Sequence, residues 1–274
     1  MRILTYNIHG WRDAFDQMDI ARLARIIAAS EADVVALNEV FHPLASPGAA
    51  RPALDLLAEM LGMQAAFGVA LTPQFAFAPL ASYGNALLTR YPLLAHAGHH
   101  LPATEGHEQR GLLEARVLLP DGRRSLSVYA THLDHRSEAL RVQQLAAAFQ
   151  WTVRDRARPH VLLGDFNSLT ASDLVDNPAA LHALQQDPEL QRLANEELQV
   201  TERLRRRGYV DAQGEQPTAT FPAAAPAVRI DYIWLSAPLA PALRWCCPWI
   251  TDETAVASDH LPLLAELDLS LAAF

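Results

Sequence analysis

The chain has 274 residues, 50% of them hydrophobic, with 31 acidic against 22 basic side chains and a formal net charge of -9. That length and composition can bury a large core, and the acidic field repels polyanions, which weighs against nonspecific nucleic-acid binding. A nuclease stays open, because a bound cation and local arginines can reverse the field inside a cleft. The adjacent Cys246 and Cys247 are too few for a disulfide framework or a thiolate zinc site, and every apolar run falls well short of the ~20 residues of a spanning helix.

MRILTYNIHG enters a strand-like run at once, without the basic and apolar regions of a secretory signal, so a cytoplasmic protein with no membrane span is expected. The run from Asp16 to Ser30 places Ile20, Leu23, Ala24 and Ile27 at helical spacing and links a strand at 2–7 to one at 33–38. NALLT (85–89), LLEARVLL (112–119) and SLSVYATHL (125–133) read as strands, the last two joined through the Asp121-Gly122 turn of a hairpin. A second helix is expected from Ser137, its cap, to Arg156, with Leu140, Leu145, Ala148, Phe149 and Val153 on one side. It leads into the strand VLLGD. Leucines among polar residues over 173–208 predict peripheral helices, the Pro/Ala-rich 217–228 a loop, and RIDYIWL, the run near Leu243–Trp249 and LPLLAELDL further strands. Hairpins mixed with strand-helix-strand units argue for stacked sheets with helices outside. Polar islands from residue 7 to residue 260 leave no place to cut the chain, so one domain over 1–274 and a monomer are expected.

Those islands carry the chemistry. Glu39 closes the run VVAL and offers a carboxylate suited to a hard cation, although a lone glutamate at a strand end is more often a surface residue. Asn7 follows ILTY and can hold a metal-bound water or a phosphate oxygen, or simply make a turn. In GDFN, Asp165 and Asn167 aim an acceptor and a donor at one pocket; an Asx turn is the plainer account. Asp231 lies in an apolar run and needs a partner, and His260 of SDH is the partner that makes catalytic sense, a contact to Arg229 or backbone being the alternative. Arg110 begins a strand and can reach phosphate or form a surface ion pair.

THLDH contains ligand types of a zinc hydrolase, but the upstream histidine pair of such a site is missing, so His132 suits a phosphate donor and His135 an exposed loop. His96, His99, His100 and His107 read as solvated loop residues. Arg205, Arg206 and Arg207 read as a solvated helix face without a nucleic-acid role.

In order, TYNIHG, LNEV, YGNALLTR, QRG, THLDH, GDFN, RIDYIWL and SDHLP resemble the motifs of the endonuclease/exonuclease/phosphatase superfamily, which includes DNase I, exonuclease III, neutral sphingomyelinases and inositol-phosphate phosphatases. The resemblance implies a four-layer α/β/β/α sandwich with two mixed sheets and a Mg²⁺-dependent phosphoester hydrolase, Mn²⁺ being a possible substitute. It implies Glu39 as principal metal ligand with Asn7 and Asp259, and Asp165 and Asn167 orienting or activating water. It further implies His132 and the Asp231-oriented His260 at the scissile phosphate, with Arg110 and Asn85 as phosphate contacts. Asn38 stands where many members carry glutamine, and His132 is similar to the DNase I and sphingomyelinase branches rather than the exonuclease III branch. A small or lipid-linked phosphodiester fits the acidic charge, and Phe75, Phe77 and Leu80 could meet a hydrophobic head group or fill the core. The rivals are a DNA or RNA nuclease, for which nucleic acid would be the partner, and an inactive binding scaffold.

Overall fold

The computed structural model describes residues 1–45, 48, 51–72, 80–175, 177–186, 188–194, 197–214 and 217–274. Phe75 and Phe77 lie outside the described residues, and Leu80 is exposed. In chain order the elements are β1 (Arg2–Asn7), α1 (Ile20–Ser30), β2 (Val34–His42), α2 (Ala53–Leu61), β3 (Gln64–Leu71), β4 (Ser82–Thr89), β5 (Leu93–His100), β6 (Gly111–Leu118), β7 (Ser125–His132), α3 (Glu138–Thr152) and β8 (His160–Asp165). The helices α4 (Ala171–Leu174), α5 (Pro178–Gln186), α6 (Pro188–Ala194) and α7 (Val200–Arg206) follow, then β9 (Val210–Asp211), β10 (Asp231–Leu235), β11 (Leu243–Pro248), α8 (Thr254–Ala257) and β12 (Leu263–Leu267).

Two six-stranded mixed sheets result, ordered β11-β12-β1-β2-β4-β3 and β5-β6-β7-β8-β10-β9. Strand β1 explains why both faces must be apolar: Ile3 enters the core between the sheets, whereas Leu4 and Tyr6 point the other way, under α1 and α2. Val128 and Val161 meet the first sheet in the same inner core, while Tyr129 and Leu162 on the opposite face pack against α3 and α7. The result is the α/β/β/α sandwich. The sheets approach closely near β3 and β5, where a Cβ on Gly98 would come within 3.2 Å of Gly68 Cα.

Several expectations are corrected. The first helix starts at Ile20, not Asp16, because Asp19 accepts the Arg22 N–H at 2.8 Å and caps it there. Ser137 does cap α3, through Leu140 N at 3.3 Å, but α3 ends at Thr152 and Val153 is 45% exposed in the turn beyond. Strand β2 runs past residue 38 to His42 through a bulge. The 93–100 segment is an edge strand rather than a loop, and His99 is stacked on Trp151 with ring centroids 3.6 Å apart and bonded to Glu114 Oε2 at 2.9 Å. His107 is likewise engaged, 3.0 Å from the buried Asp134. His96 and His100 are exposed.

Candidate active site

The site forms where strand ends of both sheets meet. Parallel pairing of β7 with β8 sets His132 opposite Asp165, and antiparallel pairing of β10 with β8 sets Asp231 opposite the same residue. Asp165 is thereby flanked by a partner on each side. Gly164 permits this junction: its φ is +137° and a Cβ there would lie 1.9 Å from Thr131 O. From the other sheet, Asn7 ends β1 opposite Asn38, and Glu39 sits in the β2 bulge with φ +61°. A bulge re-aims one side chain out of the alternation, and here it brings the carboxylate to the cleft. Asp259 and His260 arrive just before β12, where the Ser258 hydroxyl donates to Asn7 O at 2.7 Å.

Asn38 joins the halves. Its oxygen accepts from Asp165 N at 3.0 Å, and its nitrogen donates to Asn85 Oδ1 at 2.8 Å and Thr131 O at 3.0 Å. Asn85 donates in turn to Gly111 O at 2.9 Å. The expectation that Asn85 touches phosphate is therefore not met by its placement: it is buried, its amide bonds scaffold at both ends, and it is not in the cleft lining.

The cleft, about 240 Å³, is lined by Glu39, His132, Asp165, Asn167, Asp259 and His260, together with Tyr83, Glu108, Arg110 and His135. His260 Nδ1 donates to Asp231 Oδ2 at 2.9 Å, and the Thr220 hydroxyl donates to the same oxygen at 2.7 Å. Arg229 bonds Asp173 and Asp211 instead, so the rival Asp231–Arg229 contact is not formed. His260 Nε2 lies 3.7 Å from Asp165 Oδ2. Asn7 Nδ2 donates to Asp165 Oδ2 at 3.1 Å and to Glu39 Oε1 at 3.0 Å. Because Asn7 Oδ1 takes His9 N–H at 3.0 Å, Asn7 offers the carboxylates a donor rather than offering a cation its oxygen.

Electrostatics divide these groups. Burial raises the Asp165 carboxyl, nearby Asp231 adds to this and His260 opposes it, leaving it at about 7. Burial alone would lower the His260 pKa, but Asp231 and Asp165 overcome it and push the imidazole up to about 10. His260 is thus cationic at neutral pH. His132 is held well below the ordinary histidine range by burial and by Arg110, so it is neutral. Donors face both ring nitrogens: Arg110 Nη1 lies 2.8 Å from His132 Nδ1, and Asn167 Nδ2, which donates to Leu133 O at 3.2 Å, lies 3.0 Å from Nε2, so a neutral ring accepts from only one of them.

Arg110 also bonds Tyr83 OH at 3.3 Å and His135 Nδ1 at 3.0 Å, and pairs with Glu108 at 3.0 Å. It is a buried clamp on the histidines more than a free phosphate hand. His135, expected on an exposed loop, is half-buried in the cleft wall. Asp134 is buried, accepting from the backbone of Arg136 and Ser137, and so serves the start of α3. Sequence reasoning missed Tyr83, Glu108 and Thr220. Tyr83 carried a signal as the first residue of YGNALLTR, and Glu108 in its place two residues before Arg110.

Two places can hold a cation. Asp165, Asp231 and His260 offer ligand atoms within 4.8 Å of one another. However, His260 has donated Nδ1–H to Asp231 and is cationic, which leaves it without a lone pair. Glu39 and Asp259 are half-exposed carboxylates of the cleft lining, the ligand type a hard divalent ion takes. A larger cavity of about 750 Å³ beside α4 and α5 is lined by Arg229 and the two carboxylates it bonds, Asp173 and Asp211, and by none of the residues that line the cleft.

Residues 4–260 match the model of the Endonuclease/Exonuclease/phosphatase family. The chain is 30% identical over 283 residues to the uncharacterized protein YbhP of Escherichia coli (strain K12), covering 98% of this chain and 96% of that protein. It is similar in structure to an endonuclease/exonuclease/phosphatase from Beutenbergia cavernae, with 26% identity, TM-score 0.73 and coverage of 97% of this chain and 71% of the other. The human Nocturnin catalytic domain with bound sulfate, at 19% identity, TM-score 0.66 and coverage of 98% and 93%, shares the fold.

Proposed function

The chain belongs to the endonuclease/exonuclease/phosphatase family, whose members are generally metal-dependent phosphoesterases, and from that premise we propose that it is a Mg²⁺-dependent phosphodiesterase acting on a small or lipid-linked diester. The observation that carries this reading is His260, held between Asp231 and Asp165 in the same cleft as Glu39 and His132. Glu39 and Asp259 would hold the cation, which supplies charge neutralisation on the phosphate and the departing oxygen. Mn²⁺ is the expected substitute.

The chain's own groups account for the rest. Water attacks phosphorus in line as the bond to the leaving alcohol breaks. Asp165, with its carboxyl near neutrality, accepts the water's proton, and Asn167 orients that water. The Nε2–H of cationic His260 donates to a phosphate oxygen, where charge grows in the transition state, and neutral His132 lines the cleft beside it. Asn7 and Asn38 hold Asp165 in place through their amides. Arg110 acts through His132 by holding its ring at Nδ1.

A panel of sphingomyelin, inositol phosphates, a bis-aryl phosphodiester, DNA and RNA, assayed with Mg²⁺, Mn²⁺ and chelator, tests the assignment. Diester turnover that chelator abolishes supports it; hydrolysis of monoesters alone contradicts it. Preference for nucleic acid with a steep loss of activity in salt would instead make the chain a nuclease.

A further inference from the structure

The catalytic cleft adjoins a second groove of about 320 Å³, and Glu39, Tyr83 and Glu108 belong to the walls of both. A molecule whose phosphate lies against His132 and His260 therefore has a continuous way past Glu39 into this groove. The cleft has its own apolar residues, Leu190, Leu193, Phe221 and Ile230, and the groove adds Phe41 and Leu71 beyond the shared wall. Phe41 and Tyr83 pack with ring centroids 5.1 Å apart at 53° and supply an aromatic floor, which Leu71 extends. Gly10 keeps the floor from being crowded, since a Cβ there would come within 3.1 Å of Phe41 Cε2. His9 and Arg12 are half-exposed, and each faces an acid of the chain, Asp259 and Asp16 respectively.

Of the two carboxylates on the shared wall, Glu39 would hold the cation and Glu108 is balanced by Arg110, with burial raising its carboxyl. What the groove adds to the cleft is therefore its aromatic floor.

We propose that the groove is the subsite for one of the two alcohols of a phosphodiester, and that the alcohol it takes is an uncharged apolar group. This rests on the phosphodiesterase reading above and narrows its substrate class. Burying an apolar substituent against Phe41, Tyr83 and Leu71 adds binding that a methyl group in the same place cannot.

The test compares para-nitrophenyl phenyl phosphate with para-nitrophenyl methyl phosphate, which share a leaving group, in the wild type and in Leu71→Asp with Mg²⁺. Diphenyl and dimethyl phosphate are titrated calorimetrically into both proteins in parallel. The wild type is expected to favour the phenyl diester in kcat/KM by about tenfold, and Leu71→Asp to erase most of that ratio, chiefly through KM. Because the ratio is taken within one protein, a partly unfolded variant leaves it unaffected. Equal kcat/KM for the two diesters in the wild type, or an undiminished ratio in Leu71→Asp, overturns the subsite. Tight diphenyl phosphate binding that Leu71→Asp weakens, with neither diester hydrolysed, defeats the phosphodiesterase reading and keeps the groove's apolar preference. No binding and no turnover defeats both.

Discussion

At the scale of single residues, the cleft sets two acids and two histidines to different tasks by environment alone. His132 and His260 face one cavity, yet Arg110 and burial keep the first neutral while Asp231 and Asp165 keep the second charged. The rate should therefore rise as Asp165 loses its proton near pH 7 and fall as His260 loses its own toward pH 10, giving a bell-shaped profile of kcat/KM. Asp231→Asn removes the charge that raises His260, so the basic limb should move to lower pH and the plateau fall by about a hundredfold or more. A basic limb that stays in place would refute the role of this pair. Stability carries the same signature. Asp165 binds its proton more tightly folded than its ordinary value of 3.8, so that contribution is full below 3.8 and lost as pH rises through about 7. The His260 contribution is full below 6.5 and lost only toward 10. In chelator at about pH 8, Asp165→Asn should therefore unfold at a higher temperature than the wild type, by on the order of 1–3 kcal/mol, while losing activity. Thermal melts of the two proteins at two pH values check this.

At the scale of elements, the site is braced from behind by one buried ion pair. Glu138, in the first turn of α3, pairs with Arg141 at 2.7 Å and accepts the Gln199 and Val200 N–H groups at 2.7 and 2.8 Å, which starts α7. It also takes the Ser168 hydroxyl, one residue past Asn167. Glu138→Ala should cost about 3–5 kcal/mol in a denaturant titration, because the Gln199 and Val200 N–H groups and the Ser168 hydroxyl lose their buried acceptor and Arg141 loses one of its partners; a loss under 1 kcal/mol would contradict the brace. None of this was legible in the sequence, where EALRVQQ read as one side of an amphipathic helix. Strands β1, β7 and β8 were legible because burial on both faces writes a continuous apolar run ending at a polar residue. The edge strand β5 was not: LLAHAGHH is mostly exposed and has no face to alternate. The Glu39 bulge was hidden too, since its backbone conformation follows from pairing with β4 rather than from local composition. Asp231 and His260 could be paired from sequence because a buried carboxylate demands a partner. The clamp of Arg110 on His132 and His135 could not, since the start of β6 and the end of β7 must first be brought side by side.

At the scale of the whole molecule, neither sheet holds the chemistry alone. One supplies Asn7, Glu39, Asp259 and His260, the other His132, Asp165, Asn167 and Asp231, and Asn38 bridges them through Asp165 N and Thr131 O. Such a site is complete only when the sandwich is closed, so a polar residue at the inner seam carries a functional load that its burial alone would not suggest. The net charge of -9 favours a substrate with one anionic phosphate over a polyanion. The most direct test of the account is a metal titration of diester hydrolysis in the wild type, Glu39→Gln and His260→Gln, with folding verified by circular dichroism. The expected result is Mg²⁺-dependent turnover in the wild type, a weakened metal response in Glu39→Gln, and a rate lower by about a hundredfold or more in His260→Gln at saturating metal. Full Mg²⁺-dependent activity retained in both variants would contradict the assignment of chemistry to this cleft.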